Sequence, residues 1–164
     1  MTHRARTAAI IASVVLLDRV TKLYIRTAFS SIDAVAVVPG FFNIVHTENP
    51  GAAFGMLADS PSTFRAGILV FISLAVMSII GVMLWKQQTP PLSSHALSLV
   101  FGGALGNLID RILRGTVTDF LQVFFGSYEF PSFNVADSAI SIGAFLLILE
   151  LLLSRPPAHT LSVQ

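Results

Sequence analysis

Between Ala66 and Trp85 the chain carries no charged side chain. That run matches the roughly 20 residues an α-helix needs to cross the hydrocarbon core of a bilayer. In lipid every backbone N–H and C=O must be satisfied by protein, which leaves helices and closed barrels as the spanning structures. Three further apolar segments are of similar length: about Thr7 to Ile25, about His95 to Leu113, and about Ala136 to Leu153, the last ending before Arg155-Pro156-Pro157. The expected fold is therefore an all-α membrane protein with four transmembrane helices and a small extracytoplasmic β-rich segment. Residues 1–164 read as one domain, without internal repeats or low-complexity tracts. Charged residues make up only 12% of the chain and the mean hydropathy is +0.77, against about 25% charged residues in soluble domains.

The N-terminus starts like a signal peptide, with Arg4 and Arg6 ahead of the apolar run Ala8 to Leu17. Asp18-Arg19 then stands where a small-residue cleavage site belongs, and apolar character resumes, so an uncleaved first span is expected. Four spans put both termini on one side. Arg4, Arg6, Lys86 and Arg155 at one end balance Arg26, Arg65, Arg111 and Arg114 at the other. The pair preceding the first span tips the choice toward cytoplasmic termini, because the first helix usually dominates orientation. Two long segments then lie outside, about Arg26 to Arg65 and about Arg114 to Ala136. The first holds a β-prone stretch, Val35 to Thr47, interrupted by Pro39-Gly40, which suits a small sheet on the membrane. The second is aromatic (Phe124, Phe125, Tyr128, Phe130, Phe133), which suits the headgroup region and its apolar side.

Several chemistries are excluded by residue type. There are no cysteines, hence no disulfides, cysteine nucleophile or thiolate metal site. A net charge of +1 without a basic patch gives no case for nucleic acid. No His-Glu-x-x-His zinc pattern, Gly-x-Ser-x-Gly elbow or phosphate loop is present, and His3, His46, His95 and His159 are scattered. No cofactor or metal is expected.

What remains is a set of polar motifs at the outer ends of the spans. Asp18 and Lys22 are four apart and share a helical face. They suit a structural ion pair within the membrane, or a support for groups at the outer face. On the third span Gly103, Gly106, Asn107, Asp110 and Arg114 fall on one face with Arg111 at its border, and Gly102 and Gly106 permit close helix approach. Arg111 can pair with Asp110 or hold another carboxylate, and Arg111 and Arg114 also suit lipid phosphates. Asn49-Pro50-Gly51-Ala52-Ala53-Phe54-Gly55 is a turn, or a loop whose glycine lets backbone approach a ligand while Asn49 donates to a carbonyl. Asp119 lies in Val117-Thr118-Asp119-Phe120 and Asp137 in Phe133-Asn134-Val135-Ala136-Asp137. Asp137 suits a first-turn helix carboxylate, and Asp119 an ordinary loop residue. Together, two carboxylates at a membrane edge suggest acid–base chemistry, one holding a proton while the other is ionised.

In motif content and order, over nearly its whole length, the chain resembles the lipoprotein signal peptidases, the type II signal peptidases of bacteria. The resemblance implies an intramembrane aspartyl endopeptidase that removes the signal peptide from prolipoproteins just before the diacylglyceryl cysteine. It implies Asp119 and Asp137 as the catalytic pair. Asp18, Lys22, Asn49, Gly51, Asn107, Asp110, Arg111, Asn134 and Ala136 would support the site or contact substrate. Implied partners are prolipoprotein substrates, membrane lipids and globomycin-type inhibitors, and a monomer in the bacterial inner membrane is expected, with the site at the outer face. The alternative from the residues alone is a small proton-coupled transporter, since intramembrane Asp, Lys and Arg also mark ion paths. A non-catalytic lipid-binding or assembly subunit would require neither aspartate.

Overall fold

The computed structural model describes residues 2–51, 62–86 and 90–153. It contains α1 (His3–Ala28), β1 (Ala34–Val38), β2 (Phe42–Asn49), α2 (Ser62–Lys86), α3 (Pro91–Arg114), β3 (Val117–Phe125), β4 (Tyr128–Phe133) and α4 (Val135–Leu153). Ala52-Ala53-Phe54 and Arg155-Pro156-Pro157 fall outside the described residues. Among the described residues, three helices are long and apolar enough to cross a membrane: Thr63–Lys86, Pro91–Arg114 and Val135–Leu153. α1 is as long as these, but it carries Asp18, Arg19, Lys22 and Arg26 along its second half.

Burial runs opposite to that of a soluble protein. The largest fully buried side chains are polar or charged, among them Lys22, Asn134, Thr118, Asp18 and Asp110. Phe71, Ile79 and Trp85 of α2 and Phe145, Ile148 and Leu151 of α4 stand exposed. Soluble folds almost never bury lysine and aspartate fully; helices that face lipid do so to satisfy charges internally while presenting apolar surface outward.

α3 is the central helix and packs against α1, α2 and α4. Its glycines set how close those neighbours come. A Cβ on Gly103 would run into the carbonyl oxygen of Ala136, and one on Gly106 would sit 2.7 Å from Asp18 Oδ2. The small-residue face of α3 thus brings the start of α4 and the Asp18 carboxylate against the same two turns, as close-packing glycines do in membranes.

The sheet is antiparallel in the order β1-β2-β3-β4. β1 and β2 occupy the stretch expected to be β-prone, and they turn at Pro39-Gly40, where Gly40 takes φ +73°. The aromatic segment after α3 differs from expectation: it forms two further strands, β3 and β4, around Gly126 at φ +65°. A pair of β-branched and aromatic runs separated by Gly126-Ser127 is a hairpin signal. The fold is therefore a helix bundle with a four-stranded sheet at one end. Gly115, in the left-handed conformation, closes α3 by bonding its N–H to the Arg111 carbonyl, and the chain enters β3 directly.

Candidate active site

Asp119 is on β3 and Asp137 is in the first turn of α4. Both line one cavity of about 1070 Å³, together with Asn49, Asn107 and Arg111, and with Ile72 and Val76 of α2 on its apolar wall. Three asparagines arrange the carboxylates. Asn49 Nδ2 donates to Asp119 Oδ2 at 3.0 Å, and Asn134 Nδ2 donates to Asp119 Oδ1 at 2.6 Å. Asn107 Nδ2 donates to Asp137 Oδ1 at 2.7 Å.

Asn134 touches both carboxyl residues because it begins α4. Its Oδ1 accepts from the Asp137 N–H at 2.9 Å, and Asp137 Oδ2 accepts from the Asn134 N–H at 3.3 Å. This is a reciprocal capping box, which satisfies two of the orphan donors at a helix start. The first-turn role open to Asp137 from the sequence is therefore real, and it coexists with exposure to the cavity. A third donor of that turn, the Ala136 N–H, is taken by Asp18 Oδ1 from α1 at 3.1 Å. Asp18 caps α4 from across the bundle, and the helix dipole favours its negative charge there.

Asn49 holds its own loop as well. Its Oδ1 accepts from the Gly51 N–H at 2.9 Å, the two-residue side-chain turn typical of asparagine. Gly51 is buried, and its carbonyl faces Arg111 Nη2 at 3.5 Å.

Behind the cavity lies a buried charge cluster. Lys22 Nζ donates to Asn107 Oδ1 at 2.9 Å and forms ion pairs with Asp18 Oδ2 and Asp110 Oδ2, each at 2.9 Å. The expected Asp18–Lys22 pair is present, but it is part of a larger set. Asp110 Oδ1 also receives Arg26 Nη2 at 2.8 Å and pairs with Arg19. Arg26 continues to Glu48 at 3.9 Å. Three cations (Arg19, Lys22, Arg26) thus face three anions (Asp18, Asp110, Glu48). The pairing offered for Arg111 with Asp110 is not made: Asp110 is taken by Arg26 and Arg19, and Arg111 lines the cavity, where the charges of Asp137 and Asp119 act on it more strongly than that of Asp110. Arg114, grouped with the inward face of α3, is exposed at the helix end. Arg19, Arg26 and Glu48 were not singled out from the sequence; the spacing 18, 22, 26 on one helical face was the available signal for Arg26.

Burial pushes the Asp119 carboxyl up to about 7. The Asn49 and Asn134 hydrogen bonds work against that rise, and the charge of Asp137 adds to it. Asp119 is 2% exposed, so it loses most of the solvation that would stabilise its ionised form. Among the described residues, no group of three His, Cys, Asp or Glu is placed to hold a metal ion.

Apolar helices packed around a cavity with two carboxylates in its largely apolar wall define a membrane protein with a buried, convergent polar site. Its likeness to solved structures is to membrane enzymes: a bacterial membrane enzyme determined at 1.9 Å matches with a TM-score of 0.80 at 36% identity, covering 92% of this chain and 95% of that one. The family model described as signal peptidase (SPase) II matches residues 10–153. A lipoprotein signal peptidase of Solibacter usitatus is 44% identical over 97% of this chain and 98% of its own length. One from Yersinia pseudotuberculosis is 43% identical over 86% of this chain and 83% of its own. The chain belongs to the signal peptidase II family, and it is a peptidase of the membrane. The transporter alternative has no counterpart in these matches.

Proposed function

We propose that the chain removes signal peptides from lipid-modified bacterial prolipoproteins, cutting just before the diacylglyceryl cysteine, and that Asp119 and Asp137 are its catalytic pair. The observation that carries this reading is the convergence of the two carboxylates, from different elements, on one cavity with Asn134 bonded to both residues. Asp119, the more desolvated, holds the proton and supports the scissile carbonyl as it becomes tetrahedral. Asp137, at a helix start that favours negative charge, takes a proton from water as it attacks. Asp18, Lys22, Asn49, Gly51, Asn107, Asp110, Arg111, Asn134 and Ala136 hold this arrangement or contact substrate. The substrate's signal helix already lies in the bilayer, so a site at headgroup depth gains proximity without a soluble cleft. Globomycin-type inhibitors would occupy the same cavity. Residues 1–164 act as one domain and as a monomer.

The test is cleavage by purified protein in detergent, with lipid-modified and unmodified prolipoprotein at equal concentration. Turnover of the lipid-modified form alone is expected. Equal turnover of both would remove the idea that acyl chains position the bond.

In this reading α1 is a fourth span of the inner membrane, its charges turned into the bundle and Leu16, Val20, Leu23 and Tyr24 facing lipid. Both termini are then cytoplasmic and the sheet and cavity lie at the outer face. A periplasm-only reporter should be active near Ser127 and silent after Gln164; the reverse pattern would overturn the orientation.

The Asp119 shift sets the pH response. Below about 7 Asp119 carries its proton, so kcat/KM should fall above that pH as the acid is lost, about tenfold per unit. Asn49 stabilises the ionised form, so Asn49→Ala should move the fall upward by about one unit, the size of one hydrogen bond to a charged group. An unmoved or lowered limb would show that another group controls it. Stability follows the same sign: the folded value lies above the ordinary 3.8, so the contribution of Asp119 is full below about 4 and is lost as pH rises through about 7.

A further inference from the structure

We propose that Thr118 is a positioning residue for the peptidase reaction, its hydroxyl coupling the buried charge cluster of α1 and α3 to the strand that carries Asp119. The inference rests on the reading of Asp119 as catalytic. Successive side chains of a strand point to opposite faces, and β3 uses both. On the front, Asp119 meets Asn49 and Asn134 at the cavity. On the back, Thr118 is completely buried and stands between two elements. Arg26 Nε donates to Thr118 Oγ1 at 2.7 Å, and Thr118 Oγ1 donates to Glu48 Oε1 at 2.8 Å. One hydroxyl thus acts once as acceptor and once as donor, with a charged partner on each side, the stronger class of hydrogen bond.

The partners of that hydroxyl are themselves anchored. Arg26 has a side chain only 7% exposed and reaches Asp110 with its other nitrogen. Glu48 is the cross-strand partner of Thr118 and receives Thr116 Oγ1 at 2.6 Å and His46 Nε2 at 3.1 Å. These bonds hold the Glu48 carboxyl below the usual carboxylate range, against the opposing effect of its partial burial. Glu48 immediately precedes Asn49, as Thr118 precedes Asp119. The rear contact therefore sets the relative height of the two strand positions whose front side chains bond each other. The Thr118 carbonyl also accepts from Asn134 Nδ2 at 3.4 Å, so the same residue touches the cap of α4. Glu48–Thr118 is a backplate for Asn49–Asp119, and Arg26 ties it to the charged floor of the bundle.

The experiment compares full-length Thr118→Val, Thr118→Ser and Asp119→Asn in detergent with wild type, using lipid-modified prolipoprotein as substrate. A second readout is the infrared band of the protonated carboxyl, assigned to Asp119 by its loss in Asp119→Asn and followed against pH. Around Asp119 the charged groups are Asp137 of α4, Lys22 of α1 and Arg111 of α3, and none is altered. Thr118→Val should lower kcat about tenfold with KM changed less than about threefold, and should move the midpoint of the band upward as the Asn49 and Asn134 contacts loosen. Thr118→Ser should recover most of the rate. If Thr118→Val does not fold, Glu48→Gln keeps the shape and weakens the same bond, and it should move rate and midpoint in the same directions. Wild-type kcat with an unmoved midpoint in folded Thr118→Val or Glu48→Gln, or a Thr118→Ser as impaired as Thr118→Val, overturns the proposal. Undiminished cleavage by Asp119→Asn would instead remove the catalytic reading of Asp119, and the band in Thr118→Val would still report whether Thr118 positions that carboxyl.

Discussion

Asp119→Asn and Asp137→Asn should each lose at least about a hundredfold in turnover, the scale of general acid–base catalysis, while remaining folded and able to bind substrate. The substitutions keep shape and remove the ionisable group, so the shared proton has nowhere to go. Their structural costs are alike in kind. At 137 one oxygen accepts from the Asn134 N–H and the other from Asn107 Nδ2, so an asparagine that keeps the capping box of α4 turns its amide toward the Asn107 donor. At 119 both carboxyl oxygens accept from asparagine amides. An asparagine there must turn its own amide toward one of those donors, and that lost bond costs about 1–3 kcal/mol. Thermal unfolding in detergent therefore has to accompany the kinetics for both variants. The double variant should be little slower than either single one, because the pair acts as a unit. A chelator should leave wild-type activity intact, in contrast to zinc sites that make their nucleophile on the metal. Near-normal cleavage by either folded variant would remove the aspartic mechanism.

How much of this was legible beforehand depended on whether the determining contacts were local. The apolar runs located α2, α3 and α4 to within a few residues, since a span in lipid is set by its own composition and length. The helices extend past the apolar runs at their polar ends. α1, for instance, begins at His3 with Thr2 as its cap, rather than near Thr7. The β1–β2 hairpin was legible from Val35, Val37, Val38 and Ile44 around Pro39-Gly40. β3 and β4 were not, because Phe124, Phe125, Phe130 and Phe133 suit a membrane interface as well as a strand. Asp18 and Lys22 could be paired from their spacing alone. That Asp110 completes the cluster, and that Arg19 and Arg26 share it, depends on how closely Gly102, Gly103 and Gly106 let α1 and α4 approach α3, which is a tertiary property. The backplate of Thr118 and Glu48 escaped for the same reason: its meaning lies in the β2–β3 register, which shifts between Ile44 and Thr47.

Lys22→Met should destabilise the protein by about 3–5 kcal/mol, the usual consequence of removing one partner of a buried ion pair. The structure sharpens which anion suffers. Asp110 keeps Arg26 and Arg19 when Lys22 is gone. Asp18, fully buried, has Lys22 as its one cation among the described residues. Asn107 meanwhile loses the shorter of the two bonds to its Oδ1, keeping only Asn134 Nδ2 at 3.3 Å, and is freer to turn away from Asp137. Adding Asp18→Asn removes the stranded charge but keeps an acceptor for the Ala136 N–H, so the start of α4 stays capped. With both changes the remaining cluster is again balanced, Asp110 and Glu48 against Arg19 and Arg26. The double variant should therefore recover more than half of the stability lost by Lys22→Met, measured by thermal unfolding in detergent. It should recover less of the activity, because Asn107 still lacks the lysine that held it beside Asp137. A double variant no more stable than Lys22→Met would show that Asp18 is not the residue Lys22 neutralises, and that the two charges serve the site separately.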